Sequence, residues 1–292
     1  PCLSIEQLES WGVKTGLFPA LKGETSCANL SAIPKASADF QFAMQRLVLS
    51  IPQAALSAQA RGSVPPDRWD QGINAALLNY SLSGANNWAK NNNSSTSDNQ
   101  YANLRPGLNI GPWRLRNYTT WSRDSQGHDA WKTVYTYAQR TIIPLKSQLT
   151  LGDSSAPADV FDSMPFRGGQ LASDDDMLPD SLKGYAPVVR GIARTNAQVI
   201  IRQNGYQIYQ SFVAPGAFEI TDMYPTGGAG DLDVTIKEAD GSEQHFSVPF
   251  ASLPVLQREG RIKYALTGGQ YRSYNGSVDK TPFGQMSVIL GL

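Results

Sequence analysis

The stretch WRLRNYTTWS, residues 113–122, decides the fold class, because its side chains alternate between apolar and polar. Such a period of two is typical of an antiparallel β-strand with one face in water and the other in an apolar environment. The pattern recurs in segments of about 10 residues bounded by turn residues, as expected for long strands. The other segments lie at residues 76–82, 102–110, 131–138, 143–151, 262–267 and 285–290. The sequence therefore predicts an all-β protein.

Composition excludes two broad classes of protein. The 292 residues carry 25 Lys and Arg against 25 Asp and Glu, so the basic excess of a nucleic-acid-binding protein is missing. No run of about 20 apolar residues occurs, which excludes a transmembrane helix. The alternating strands fit either a soluble β-sandwich or a transmembrane β-barrel.

Strand length, a polar Asn/Ser tract at residues 86–99 and aromatic residues near the strand ends favour the barrel. The tract is predicted to be an exposed loop. The aromatic residues that would contribute to the interfacial girdles are Trp113, Trp121, Trp131, Tyr135 and Tyr137. Basic residues are predicted on the opposite, polar strand faces, where they either line a pore or are simply solvated. They are Arg114, Arg116, Lys132, Arg140 and Lys146.

A different unit interrupts the long strands at about residues 185–250. It contains shorter alternating segments and an Asn204-Gly205 pair, which is typical of a tight β-hairpin. We expect a compact β-sandwich whose two ends lie close together, as insertion into a larger sheet requires. The acidic run Asp174, Asp175 and Asp176 is predicted to be a solvated hinge where the chain leaves the sheet. It lacks the spacing and the bidentate Glu of an EF-hand calcium loop.

The first 50 residues form a third region. Ser4 and Gln7 have the spacing of a capping box, which predicts a short helix at about residues 4–11. Strands are predicted at residues 40–42 and 46–51, followed by a linker. The only two cysteines, Cys2 and Cys27, are either buried free thiols or a disulfide formed in an oxidising compartment.

Longer motifs resemble one known family. RTIIPLKSQLTLGD (140–153), FRGGQLASDDDMLPD (166–180) and YAPVVRGIA (185–193) are similar, in this order, to outer-membrane ushers of the chaperone–usher pilus pathway. The resemblance implies an internal fragment of a large transmembrane β-barrel of about two dozen strands, about eight of which lie in this chain. It also implies a disulfide between Cys2 and Cys27.

The resemblance divides the chain into five parts. Residues 1–50 would be the C-terminal part of a periplasmic N-terminal domain, 51–72 a linker and 73–184 the first barrel strands. Residues 185–250 would be a β-sandwich plug, and 251–292 further barrel strands. The predicted plug hinges are Asp174, Asp175, Asp176, Pro179, Gln257, Arg258, Glu259 and Gly260.

The function implied is that of a multi-pass protein in the outer membrane of a Gram-negative bacterium. It would receive periplasmic chaperone–subunit and chaperone–adhesin complexes, promote subunit polymerisation and translocate the growing pilus through a plug-gated pore. Contacts with outer-membrane lipid are expected. Enzymatic activity, a cofactor, a metal site and a nucleic-acid partner are not expected. The alternatives are a general diffusion porin and a soluble secreted β-sandwich adhesin.

Overall fold

The computed structural model describes residues 2–23, 26–57, 59–88, 90, 96–273 and 280–292. Contacts divide the chain into two compact units. One consists of Pro1–Ser63, Pro179–Arg261 and Gly291–Leu292, and the other of Val64–Leu178 and Ile262–Leu290. No helix among the described residues is both long and apolar enough to cross a membrane.

The N-terminal domain, residues 2–56, begins with the predicted helix, α1 (Ile5–Ser10). The capping box is confirmed: the Gln7 backbone N–H donates to Ser4 Oγ at 3.1 Å, and the Ser4 N–H donates to Gln7 Oε1 at 3.0 Å. The predicted hairpin is present as β1 (Ser37–Gln41) and β2 (Arg46–Ser50), although Phe42 starts a 3₁₀ turn and does not extend the strand. Six buried side chains form the core of this domain: Leu3, Leu8, Val13, Leu21, Ile33 and Ala55.

A disulfide joins Cys2 to Cys27, as the family resemblance implied. The bond ties the residues before α1 to the segment that precedes β1. It closes a loop in a domain with a small core, where a covalent crosslink contributes a large share of the stability.

The inserted domain, residues 185–250, is a two-sheet sandwich. One sheet pairs β9 (Val189–Ala193) with β12 (Gly216–Ile220). The other has four antiparallel strands in the order β11-β10-β13-β14, with the bounds Tyr206–Val213, Ala197–Gln203, Leu232–Lys237 and Glu243–Val248. Fully buried aliphatic side chains such as Val199, Ile201 and Ile236 fill the space between the sheets.

The β10–β11 hairpin turns at Asn204 and Gly205, as the sequence predicted. Both residues have positive φ, at 50° and 82°. This conformation matches the right-handed twist of the two strands and favours Asn followed by Gly.

The second unit contains an eight-stranded antiparallel sheet. Its strands are β3 (Ala75–Asn87), β4 (Ser97–Ile110), β5 (Trp113–Arg123), β6 (Asp129–Ile142), β7 (Ser147–Ser155), β8 (Pro165–Ser173), β15 (Ile262–Tyr271) and β16 (Pro282–Leu290). They pair in the order β16-β15-β8-β7-β6-β5-β4-β3. Because β15 pairs directly with β8, the inserted domain lies in the connection between two neighbouring strands.

Two predicted boundaries in this sheet are wrong. The loop expected at residues 86–99 is narrower, because β3 extends to Asn87 and β4 starts at Ser97; residues 89 and 91–95 lie outside the described residues. The strand expected at 143–151 starts at Ser147. Residues Ile143–Leu145 form a 3₁₀ turn around Pro144, which has no N–H to donate to a neighbouring strand.

Candidate functional site

The strand register gives the eight-stranded sheet one polar and one apolar face. Arg114 lies opposite Asn109 and Gln139 on the neighbouring strands, and Arg116 lies opposite Gly107 and Tyr137. Intervening positions such as Leu115 belong to the other face, with Leu108 and Ala138. We call the side that carries Arg114 and Arg116 the polar face and the other side the apolar face.

Lys132 shares the polar face with the two arginines. It pairs with Thr120, which is an even number of residues from Arg116 along β5. Three of the five basic residues singled out in the sequence therefore lie on one surface. Arg140 does not, because it lies opposite Trp113 on the apolar face. Arg114 is held by its own turn, since Nη1 donates to the Gly111 carbonyl at 2.7 Å.

Lys146 does not lie in a strand, contrary to the prediction. It ends the 3₁₀ turn between β6 and β7 with φ of 45°, in the left-handed region. Its backbone N–H donates to Ile143, and its carbonyl accepts a bond from the Asp174 N–H at 2.9 Å. The alternation expected across residues 143–151 fails here because the tight turn takes up the first four residues.

A β-bulge moves two aromatic residues to the polar face. Tyr118 pairs with Tyr135 and Thr119 pairs with Thr133, which leaves Val134 as an extra residue in β6. The extra residue reverses the alternation beyond it. Tyr135 and Tyr137 therefore lie on the polar face, and their assignment to an interfacial girdle is wrong.

The three tryptophans of β5 and β6 keep their predicted face. Trp121 and Trp131 pair across β5 and β6 with ring centroids 6.3 Å apart. Trp113 shares that face because it lies an even number of residues from Trp121.

The polar face also carries a cluster of aromatic and cationic side chains that was not predicted from the sequence. The Arg105 guanidinium lies 4.5 Å from the centroid of the Tyr118 ring, a cation–π distance. Tyr118 donates from its hydroxyl to Asn103 Oδ1 at 3.0 Å, and its ring lies 5.6 Å from that of Tyr135. Alternation along β4 and β5 contained a signal for the face of Arg105 and Tyr118, but the face of Tyr135 depends on the bulge.

The first predicted hinge is more ordered than a solvated acidic run. Asp174 caps the 3₁₀ turn at Asp175–Met177, since its Oδ1 accepts from the Asp176 N–H at 3.0 Å. Its Oδ2 accepts from Gln148 Nε2 at 2.9 Å. Pro179 follows at the boundary between the compact units, which falls between residues 178 and 179.

Arg258 is the most constrained residue of the second predicted hinge. It is only 6% exposed, and its guanidinium donates to four backbone carbonyls. The acceptors are Lys183 at 3.2 Å, Gly184 at 3.1 Å, Thr221 at 3.1 Å and Met223 at 2.7 Å. Burial, and then repulsion from Arg261, lowers the pKa of Arg258 from its usual high value.

The neighbours of Arg258 connect the hinge to other elements of its unit. Glu259 Oε1 accepts from Arg190 Nη2 at 2.7 Å, and Arg190 Nε also contacts Glu219 at 2.9 Å. The Gly260 N–H donates to the Gly291 carbonyl at 3.0 Å. Gln257 makes a longer contact of 3.5 Å from its side-chain amide to the Val255 carbonyl. The segment predicted as the second hinge is thus a hydrogen-bonded turn.

Within the described residues, no group of three or more His, Cys, Asp or Glu side chains is arranged to hold a metal ion. His128, the histidine nearest an acidic residue in the sequence, lies in the β5–β6 turn. Its Nδ1 is 3.3 Å from Asp124 Oδ2, and Asp124 Oδ1 also accepts the backbone N–H groups of Gln126 and His128. Asp124 therefore shapes this exposed turn.

Comparisons with known proteins agree across the whole chain. A family described as "Outer membrane usher protein" matches residues 101–292, and one described as "PapC N-terminal domain" matches residues 1–84. The probable outer membrane usher protein ElfC of Escherichia coli K12 is 54% identical over 293 residues, covering 99% of this chain and 34% of ElfC. The outer membrane usher protein FimD of the same strain is 51% identical over 300 residues, covering 100% of this chain and 34% of FimD.

A solved structure matches as well. It is the cryo-EM structure of an E. coli P pilus tip assembly intermediate of PapC, PapD, PapK and PapG, with a TM-score of 0.54 and 31% sequence identity. The match covers 100% of this chain and 37% of the matched chain. The chain spans about a third of the length of the curated relatives that it matches.

Proposed function

The chain belongs to the outer membrane usher family, and on this premise we propose that it forms part of a pore that assembles and translocates pili. The usher would receive chaperone-bound subunits, promote their ordered polymerisation and conduct the fibre across the outer membrane. The observation that carries this proposal is the insertion of a complete β-sandwich between β8 and β15, two neighbouring strands of a sheet with one apolar face.

The inserted domain would serve as the plug of the pore. A barrel wide enough for folded subunits has an aqueous lumen that leaks unless something fills it. A separately folded domain attached at two points can close the lumen and be displaced without unfolding the barrel. Both attachments lie next to predicted hinges, because the unit boundaries fall at 178/179 and 261/262. We retain residues 185–250 as the plug, with Asp174–Asp176, Pro179 and residues 257–260 as its hinges.

The polar face would line the lumen. Arg114, Arg116 and Lys132 supply positive charge there, and Tyr118 and Tyr135 add flat aromatic surfaces with polar edges. A surface of this kind can contact a passing protein through many weak interactions. The opposite, apolar face would contact outer-membrane lipid, with Trp121 and Trp131 at the interface.

Subunit joining in this proposal is an exchange of β-strands between partners and involves no covalent chemistry. The partners would be a periplasmic chaperone bound to a pilus subunit and a chaperone–adhesin complex. The relatives are assembly and transport proteins, and we propose that this chain has no enzymatic role.

Deletion of the plug tests the proposal in the full-length usher. Residues 185–250 would be replaced with a short Gly/Ser linker, and conductance would be measured in planar bilayers. We expect a large, stable increase in conductance and greater sensitivity of cells to large antibiotics. Heat-modifiable mobility in detergent would show whether the barrel still folds. Wild-type conductance in a variant with a folded barrel would refute the plug.

A second measurement separates an usher from a diffusion porin. Deleting the N-terminal domain should abolish pili on the cell surface while leaving the barrel folded. A porin that only passes small solutes predicts no change in piliation.

A further inference from the structure

One segment of the inserted domain, Thr221–Tyr224, is bonded to two of the three stretches of chain that link the folded parts of this protein. The remaining stretch is bonded to the two arginines that hold this segment. The first stretch, residues 57–63, follows the N-terminal domain. The second, residues 179–184, leads into the inserted domain. The third, residues 257–261, leads out of it. All of them belong to the same compact unit.

Arg61 holds the first stretch against this segment. Its backbone N–H and its Nε both donate to Asp222 Oδ2, at 3.0 and 3.2 Å. Its guanidinium lies 4.4 Å from the Tyr209 ring centroid and 5.5 Å from that of Tyr224. Asp222 is only 17% exposed at its side chain, so the ion pair is partly shielded from solvent. The Arg61 carbonyl accepts a bond of 2.5 Å from Ser181 Oγ, which adds the second stretch.

Arg258 holds the third stretch from the other side of the same segment. It donates to the carbonyls of Thr221 and Met223, the two residues that flank Asp222. Its remaining bonds go to Lys183 and Gly184 in the second stretch. Arg61 and Arg258 therefore both bind the segment Thr221–Tyr224 of the inserted domain. Each of them also binds the second stretch, which leads into this domain.

Contacts outside the segment extend the same interface. Gln53 accepts from the Glu219 backbone N–H at 2.5 Å and donates to the Glu219 carbonyl at 2.7 Å, as a neighbouring β-strand would. Ser50 Oγ donates to Asn196 Oδ1 at 2.6 Å. The end of the N-terminal domain thus rests on β12 and on the turn before β10.

We propose that Arg61, Asp222 and Arg258 form a junction that docks the N-terminal domain on the inserted domain, so that the two move as one body. The consequence rests on the proposed plug function: a partner captured by the N-terminal domain would act on the plug directly, through the docked interface. Arg61 is the positioning residue, because it is the one of the three that lies in the stretch following the N-terminal domain.

Hydrogen exchange measured by mass spectrometry on the full-length usher tests the junction. Undocking releases the N–H groups of Arg61 and Glu219, which are bonded across the interface. In Arg61→Ala we expect about tenfold faster exchange in peptides covering residues 50–63 and 216–224, since an ion pair and a cation–π contact are lost together. Arg61→Lys should fall between alanine and wild type, because lysine keeps the charge but not the planar guanidinium.

Two controls make the result decisive. Arg46→Ala removes the same charge from a residue that bonds Gln41 in its own hairpin, and it should leave both peptides unchanged. Exchange in β10 and β13 reports whether the inserted domain stays folded. Asp222→Asn offers a second route to the same loss if Arg61→Ala folds poorly.

The junction is refuted if Arg61→Ala speeds exchange in the peptide that contains residue 61 but not in residues 216–224. The plug is tested separately by the conductance of the deletion variant. Coupled exchange with unchanged conductance would retain the junction and reject the plug, and the opposite pair of results would do the reverse.

Discussion

Glu238 is a buried carboxylate that holds the turn between β9 and β10 of the inserted domain. Its side chain is 1% exposed. Oε1 accepts from the Arg194 N–H at 3.0 Å and from Gln244 Nε2 at 3.0 Å. Oε2 accepts from the Thr195 N–H at 2.9 Å and from Thr195 Oγ1 at 2.6 Å. Both oxygens therefore bind a backbone donor of the turn that connects β9 to β10.

Replacing Glu238 with Gln should destabilise the inserted domain by about 3 kcal/mol. Whichever way the new amide is oriented, its NH₂ group faces one of the two backbone N–H groups, so two charge-assisted hydrogen bonds are lost. Such bonds contribute about 1.5–3 kcal/mol each, and a buried N–H without an acceptor adds a desolvation cost. Glu243→Gln is the matched control, because this residue lies in the same domain and is 43% exposed.

The pH dependence of stability gives a second signature. Burial raises the pKa of Glu238, but the bonds from Arg194 and Thr195 outweigh it and hold the pKa below its ordinary value. A carboxyl whose folded pKa is lowered contributes stability above its unfolded pKa and loses it as the pH falls through the folded value. The wild-type domain should therefore lose stability below about pH 4, whereas Glu238→Gln should lack this component.

Hydrogen-exchange protection factors for β10 and β13, corrected for intrinsic rates, measure both effects in the whole chain. At neutral pH we expect roughly a hundredfold loss of protection in Glu238→Gln, the equivalent of about 3 kcal/mol. Glu243→Gln should stay within a fewfold of wild type. Equal protection in the two variants, or a loss of protection in acid that is as large in Glu238→Gln as in wild type, would show that the carboxylate does not carry this stability.

Three further predictions concern the other parts of the chain. Replacing both cysteines of the disulfide with serine should destabilise the N-terminal domain by about 3.5 kcal/mol, the chain-entropy value for a separation of 25 residues, and hydrogen exchange should show β10 unaffected. Gly152→Ala should cost about 2 kcal/mol or more and reduce the folded band in detergent electrophoresis, because φ is 116° and a Cβ would collide with a backbone carbonyl of β6. Gly169→Ala, whose Cβ would meet only a leucine methyl at 3.4 Å, should behave like wild type. In membranes containing the full-length usher, Tyr137→Cys should react with a water-soluble maleimide about tenfold faster than Trp121→Cys, and equal rates would contradict the face assignment.

Features encoded by neighbouring residues could be predicted from the sequence. The helix start at Ser4 depends on one side chain three residues away, and the Asn204-Gly205 turn depends on the φ preferences of two residues. The face of a regular strand depends on alternation alone, which correctly grouped Arg114, Arg116 and Lys132. Each signal is local, so one sequence contains it in full.

Features that depend on a partner strand could not be predicted in this way. The bulge at Val134 exists only because β5 and β6 pair in two registers, and it reversed the face of Tyr135 and Tyr137. The carbonyl acceptors that Arg258 binds belong to two separate parts of the chain, which sequence patterns do not bring together. They are the carbonyls of Lys183, Gly184, Thr221 and Met223. The hinge at residues 257–260 stays a prediction, and the sequence did not indicate that these residues form a hydrogen-bonded turn.

The bulge at Val134 also explains a buried ion pair nearby. Regular pairing of β6 with β7 ends at Tyr137 and Gly152, and beyond that point Asp153 Oδ2 accepts the Thr136 N–H at 3.0 Å in place of a strand carbonyl.

Arg272 supplies donors where Asp153 supplies an acceptor. It donates to the carbonyls of Thr133 and Val134, at 3.1 and 2.6 Å, and to Asp153 at 3.0 Å. Asp153 thus accepts from a β6 N–H group that has no strand carbonyl opposite it, and Arg272 donates to β6 carbonyls that have no strand N–H opposite them. Because unpaired backbone groups are costly within a membrane, a sheet that diverges there needs such substitutes. Asp153 and Arg272 should therefore be required together. Removing Asp153 alone leaves the guanidinium of Arg272, which is only 20% exposed, without its carboxylate, and it should cost more stability than removing both Asp153 and Arg272.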